Sequence, residues 1–254
     1  MTARRRLTVA MAVALALVCS GCASGPPPLA TGPPIPAAGQ PLVYSALGAS
    51  ETAGSGLDDT NLRERYAWPQ LFFNQALPRA ATFYNFAFPG ITTATALTDE
   101  VPAALAVNPD VVTVFFSIDD LVNGVSTADF ETNLDAIVHA MRRGGRARVL
   151  VGNAPAVDNL PAFRACEGLA AGALPCPLPP GVVLPAVPVV DAEVAGYDAA
   201  ITSVVTREGA ILVDLRPYSA DVVAHPEDVG PDGLHPSPQG DQKIAALFAA
   251  AYRA

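Results

Sequence analysis

Lysine is almost absent from this chain: Lys243 is the only one, and arginine supplies the rest of the 15 basic side chains, set against 24 acidic ones. The formal charge of -9 argues against a nucleic-acid partner, because phosphate backbones are held by basic surfaces. Histidine is equally scarce. Only His139, His225 and His235 occur, so imidazole chemistry has few places to sit. Cysteine is thin as well, and Cys166 and Cys176 have no nearby histidine or further cysteine with which to complete a structural zinc site. No internal repeat is evident, and nothing in the chain implies a metal or an organic cofactor.

What is present begins with a leader. Residues 1–21 combine Arg4, Arg5 and Arg6 with the apolar run Leu7–Val18, which is too short to span a bilayer comfortably, and end in small residues. They read as a secretion signal, and their removal takes the charge to about -12, since they hold three arginines and no acid. Val18-Cys19-Ser20-Gly21-Cys22 resembles a bacterial lipobox. That resemblance implies that Cys22 is acylated, becomes the first residue and anchors the protein to the membrane, facing outward; ordinary cleavage and secretion is the alternative. Residues 22–41, rich in Pro, Gly and Ala, cannot build a core and read as a tether. In an exported protein Cys166 and Cys176 are expected to pair as a disulfide.

From residue 42 onward short apolar runs alternate with helical patterns. The strands are expected at Leu42–Leu47, Thr82–Ala87, Val111–Ser117, Arg148–Gly152 and Ile211–Asp214. The helices are expected at Leu62–Leu77, Thr92–Val107, Thr127–Arg143, Val190–Arg207 and Pro238–Tyr252. Runs such as Val111-Val112-Thr113-Val114-Phe115 are apolar on both faces, as in a parallel sheet covered by helices on each side. One domain, 42–254, is expected, with ligands beyond the carboxyl ends of its strands. Segment 154–188 is too long for an ordinary connection and reads as either a lid or a stapled surface loop.

Three strand ends carry candidate chemistry. Gly48-Ala49-Ser50-Glu51-Thr52-Ala53-Gly54 presents a serine in a Gly-rich turn. Asn85-Phe86-Ala87-Phe88-Pro89-Gly90 passes through a Pro-Gly turn that leaves the Gly90 N–H accessible. Pro231-Asp232-Gly233-Leu234-His235-Pro236 places a carboxylate three residues before an imidazole. A hydroxyl becomes a competent nucleophile when a neutral imidazole takes its proton, and a carboxylate on the other ring nitrogen fixes the tautomer. Aimed N–H donors stabilise the oxyanion of the tetrahedral intermediate, each by roughly 3–4 kcal/mol.

Taken in order and spacing, these segments resemble the SGNH (GDSL-like) hydrolase family over residues 42–253. The match runs from Gly48, Ser50 and Gly54, through Asn85 and Gly90, to Asp232 and His235, with Ala49 where Asp is common. The resemblance implies a three-layer α/β/α sandwich around a five-stranded parallel, flavodoxin-like sheet. It also implies a serine esterase or lipase in which Ser50, Asp232 and His235 are catalytic and the N–H groups of Ser50 and Gly90 bind the oxyanion. One block departs. The family carries Gly-x-Asn-Asp after the third strand, with the asparagine donating to the oxyanion, whereas this chain has Ser117-Ile118-Asp119-Asp120. Ionised Asp119 accepts hydrogen bonds and repels an oxyanion. Three outcomes stay open: a protonated Asp119 that still donates, a hole run on backbone donors alone, or loss of catalysis, leaving an envelope module that binds lipid or glycan. The expected partners are a small-molecule or lipid ester and, through the anchor, a membrane; Phe88, Leu121 and Val122 stand near the expected mouth, as acyl contacts or as packing.

Overall fold

The computed structural model describes residues 41–57, 60–166 and 186–254; Cys22, the leader, the tether up to residue 40 and Cys176 lie outside them. The strands are β1 (Val43–Gly48), β2 (Thr82–Asn85), β3 (Val111–Phe115), β4 (Arg148–Gly152) and β5 (Ile211–Val213). Between β1 and β2 come α1 (Ser50–Ala53), α2 (Thr60–Tyr66) and α3 (Trp68–Ala76). Then follow α4 (Thr93–Ala106), α5 (Ile118–Val122), α6 (Thr127–Arg142), α7 (Pro161–Cys166), α8 (Val187–Glu208), α9 (Arg216–Asp221) and α10 (Pro238–Arg253).

All strand pairings are parallel, in the order β2-β1-β3-β4-β5. The chain leaves β1 for the edge, then crosses back to β3 on the other side. The switch point therefore lies between the carboxyl ends of β1 and β3, where open parallel sheets place their ligands. Helices α4, α6 and α8 cover one face, while α3 and α10 cover the other. This is the expected three-layer sandwich.

Aromatic side chains fill both layers. On the α3/α10 side Trp68 stacks on Phe248 with ring centroids 4.3 Å apart, and Phe72 meets Tyr44 edge-on at 5.1 Å. On the other, Phe130 stacks on Tyr197 at 4.1 Å, whose hydroxyl donates to the Val125 carbonyl at 2.7 Å. Such pairs add roughly 0.5–1.5 kcal/mol each beyond the area they bury.

Several boundaries differ from the sequence reading. The helix expected over Leu62–Leu77 is two helices parted at Ala67, whose ψ of 135 is extended. Pro69 explains the break: inside a continuous helix it would lack its N–H and clash with a preceding carbonyl, but in a first turn neither matters. The same reasoning moves the start of α8 from Val190 back to Val187, because Pro188 sits in the first turn. Strand β3 stops at Phe115, and Ser117 adopts φ -179, ψ -51, outside the strand region. Four short helices, α1, α5, α7 and α9, add to the five expected long patterns.

Two buried acids give the fold a pH dependence. Glu100 is pushed up to about 8 and Asp241 to about 8, each chiefly by burial. A carboxyl whose folded pKa is raised contributes stability that is complete below its unfolded pKa and is lost as pH rises through the folded one. Asp221 and Glu227 are held low by hydrogen bonds, and their contribution is already complete above pH 5. The melting temperature is therefore expected to fall from pH 5 to pH 8.5, by roughly 2–4 °C per kcal/mol lost. Asp241→Asn should flatten that slope; an unchanged slope by calorimetry would remove Asp241 as its source.

Candidate active site

Ser50 opens α1 directly beyond the carboxyl end of β1 and is 8% exposed. The turn that delivers it requires Gly48. At φ +155, a Cβ there would lie 2.3 Å from Thr52 Oγ1 and 2.5 Å from the Phe115 carbonyl oxygen. Gly54, at φ +81, ends α1 and returns its N–H to the Ser50 carbonyl. The Ser50 hydroxyl donates to Glu51 Oε2 at 3.3 Å.

The Asn85–Gly90 segment is tied to this turn at several points. Asn85 Nδ2 donates to the Thr52 carbonyl at 2.8 Å, and its Oδ1 accepts the Ala87 N–H at 3.1 Å. Glu100, which the sequence reading did not single out, spans both segments from α4: its Oε2 accepts the Gly48 N–H at 3.0 Å and its Oε1 the Phe88 N–H at 3.2 Å. Gly90 has φ +79, and a Cβ there would meet nothing within 4 Å. The position a side chain would take there is open. Phe88 is 65% exposed and Val122 45%, whereas Leu121 packs partly on the core.

Asp232 and His235 form a closed local unit. Asp232 Oδ1 accepts the N–H groups of Leu234 and His235 at 2.9 and 3.0 Å, and its Oδ2 lies 2.6 Å from His235 Nδ1. Burial raises the Asp232 pKa, but the hydrogen bonds from the His235 ring and the two N–H groups outweigh it and hold the carboxyl below its usual range. An ionised Asp232 accepts a proton-bearing Nδ1–H, which leaves the Nε2 lone pair free. The other two histidines stand apart, His139 against Glu208 and His225 against Asp221 and Glu227.

Three sets of contacts fix the position of this loop. Gly56, at φ +87, permits the closest one, since a Cβ there would come within 2.7 Å of His235 Cβ and 3.0 Å of the Pro236 carbonyl oxygen. The lone lysine, Lys243, bonds Asp221 at 2.6 Å and Asp228 at 2.5 Å, pinning the base of the loop. The third comes from α7, whose Ala162 N–H donates to the Gly233 carbonyl at 2.9 Å. The described part of segment 154–188 is therefore packed on the histidine loop, with Leu160, Ala162, Phe163 and Cys166 buried. Cys166 is disulfide-bonded.

Asp119 sits on α5, beyond the end of β3. Its neighbour Asp120 is fully buried and accepts the Thr93 N–H at 3.1 Å and the Thr93 hydroxyl at 2.6 Å, fastening α5 to the start of α4. Burial raises Asp119 most, the negative charge of Glu51 next, and Asp120 adds to both; His235 and the Ser50 N–H pull the other way. The result is a carboxyl pushed up to about 7. Its Oδ2 is buried without a hydrogen-bond partner among the described residues. Among those residues no group of three or more His, Cys, Asp or Glu side chains could hold a metal ion, and no helix is long and apolar enough to cross a membrane.

The doubly wound parallel sheet thus carries a serine turn, an Asp–His loop and the acid-bearing α5 beyond the carboxyl ends of its strands. The chain belongs to the GDSL-like lipase/acylhydrolase family, whose profile matches residues 46–243. Its fold is shared by a psychrotrophic esterase from Pseudoalteromonas sp. solved with monoethylphosphonate as inhibitor, at 15% identity and TM-score 0.58 over 83% of this chain and 96% of that one. The lipase/acylhydrolase from Enterococcus faecalis is similar at 20% identity and TM-score 0.59, covering 82% and 94%. An acetyl-xylooligosaccharide esterase from Geobacillus is similar at 14% and 0.60, covering 84% and 94%. No curated protein matches the chain in sequence.

Proposed function

We propose that the protein is a serine ester hydrolase working through an acyl-enzyme. Ser50 attacks the ester carbonyl, His235 Nε2 takes the hydroxyl proton and returns it to the leaving alcohol, and Asp232 holds the ring and stabilises the imidazolium. Water then repeats the sequence on the acyl-enzyme. The N–H groups of Ser50 and Gly90 hold the oxyanion, and Asp119 joins them as a third donor when it carries its proton.

The observation that carries this reading is the 2.6 Å Asp232–His235 bond in a loop that Gly56 allows against the serine turn. A solvated loop pair needs no such approach. The test is labelling by a fluorophosphonate probe, which reacts with activated serines. A second reading is favoured by Asp119 in the amide position and by the Ser50 hydroxyl turned to Glu51: a silent module that binds lipid or glycan. A folded protein that takes no probe would support it.

We also place the enzyme outside the cytoplasm, on a tether acylated at Cys22, on the strength of the leader and the lipobox-like segment. We assign Cys176 as the partner of the disulfide-bonded Cys166, a pairing that suits the same setting. Blocking the signal peptidase specific for lipoproteins is expected to accumulate a precursor in cell extracts. If none accumulates, the protein is cleaved by the ordinary route and released.

A further inference from the structure

The edge strand β2 turns an aromatic row outward. The Thr82, Phe86 and Phe88 N–H groups donate to the Leu42, Ala46 and Gly48 carbonyls at 2.7, 2.9 and 3.2 Å, so pairing with β1 runs on past Asn85 with the same spacing of two. Alternate residues of such a segment share a face. Phe83 turns to the core, stacked on Tyr44 at 4.8 Å and on Phe73 at 5.6 Å. Tyr84, Phe86 and Phe88 line the opposite face over about 13 Å, at roughly 3.3 Å per residue. Tyr84 is 40% exposed, and Phe88, at 65%, is the most exposed large apolar side chain among the described residues. The Phe88 backbone is nevertheless fixed. Its N–H is shared between the Gly48 carbonyl and Glu100 Oε1, and its carbonyl accepts the Ile91 N–H. Gly48 opens the serine turn, and the side-chain position at Gly90, two residues beyond Phe88, is free. A rigid backbone tied to the nucleophile's turn thus presents an apolar ring to solvent.

Resting on the reading of Ser50 as nucleophile, we propose that Phe88, Phe86 and Tyr84 form the acyl subsite, that the substrates are esters of uncharged, medium-length acyl chains, and that Phe88 is the specificity-determining residue nearest the carbonyl. The leaving oxygen must face His235 to receive its proton. His235 belongs to the loop that follows β5, at one end of the strand order, and packs against Gly56; the aromatic row belongs to β2, at the other end and next to β1. An ester seated on Ser50 therefore turns its acyl group toward the row. No charged residue occurs from Thr82 to Gly90, which suits a hydrocarbon chain and leaves a charged one unpaired. Ring orientation selects a chain over a sugar. Tyr84 and Phe86 stack on each other at 5.9 Å with 12° between their planes, so the faces that a sugar would need are turned to one another, and an apolar chain can lie across the ring edges.

Turnover of p-nitrophenyl esters of rising acyl length tests this. For wild type, kcat/KM is expected to climb by roughly a hundredfold from acetate to octanoate, since each methylene that leaves water adds to transition-state binding. The octanoate-to-acetate ratio should fall about tenfold in Phe88→Ala and return most of the way in Phe88→Leu. Tyr84→Ser, further down the row, should lower the decanoate-to-butanoate ratio about threefold. A folded Phe88→Ala that keeps the wild-type ratio, whatever its absolute rate, overturns the proposal. So does a loss that follows the alcohol in a series of alkyl acetates, which would put the leaving group on the row, or one confined to acetylated oligosaccharides, which would make the row a sugar platform. Binding of a fluorescent decanoyl amide to Ser50→Ala protein separates the subsite from the nucleophile. Its Kd should rise about tenfold when Phe88→Ala is added, and unchanged binding overturns the subsite. A wild type that cleaves no ester yet binds the amide through Phe88 supports the subsite and fails only the reading of Ser50.

Discussion

Ester turnover by Ser50→Ala is expected to fall by roughly 10³ to 10⁴, and labelling by a fluorophosphonate to vanish. A fully equipped serine hydrolase loses on the order of 10⁶ when its nucleophile is removed, with a residual rate from the oxyanion hole and binding. An enzyme whose third donor is present only part of the time starts from a lower rate, which shortens the distance to that residue. His235→Ala should cost about as much, and the double variant little more, because the two act as a unit. Neither change touches the core. The Ser50 hydroxyl makes one long bond, to Glu51 at 3.3 Å, so its loss should alter stability by no more than about 1 kcal/mol. Persistent labelling of Ser50→Ala would mean that another nucleophile reacts, and the assignment would fall.

Most of the architecture was legible because its causes are local. β4 carries its signal in Arg148-Val149-Leu150-Val151-Gly152 alone, and both its bounds agree with the sequence reading. Asp232 and His235 lie three residues apart, and the turn that joins them is written in Gly233 and the flanking prolines. What was not legible depends on pairs far apart in the chain. Glu100 bridges to Gly48 across 52 positions, and Asp241 reaches the Trp68 N–H across 173. Nothing near either residue marks it as more than a helix-surface acid. Gly56 reads as a plain turn glycine until His235 is folded against it. Glu51 was in view as part of the serine turn, but its burial is a property of the fold.

Asp119→Asn is expected to raise turnover, and the pH at which it does so tells how the native site works. With a carboxyl pushed up to about 7, Asp119 is mostly protonated at pH 6 and about one-tenth protonated at pH 8. A neutral Asp119 donates as the amide would, so at pH 6 the variant should gain less than about twofold. At pH 8 the gain should reach about tenfold, since the amide never ionises while the native carboxylate repels the oxyanion. The alkaline limb of wild type near pH 7 should disappear. A different outcome has a different meaning. A gain of on the order of a hundredfold that is equal at pH 6 and pH 8 would show that Asp119 never donates and that the native hole runs on backbone N–H groups alone. No gain at any pH in a folded variant would take Asp119 out of the hole. The two gains, measured with one short-chain ester across pH 5 to 9, therefore decide whether the replacement of an amide by an acid weakened this site or gave it a proton-dependent donor.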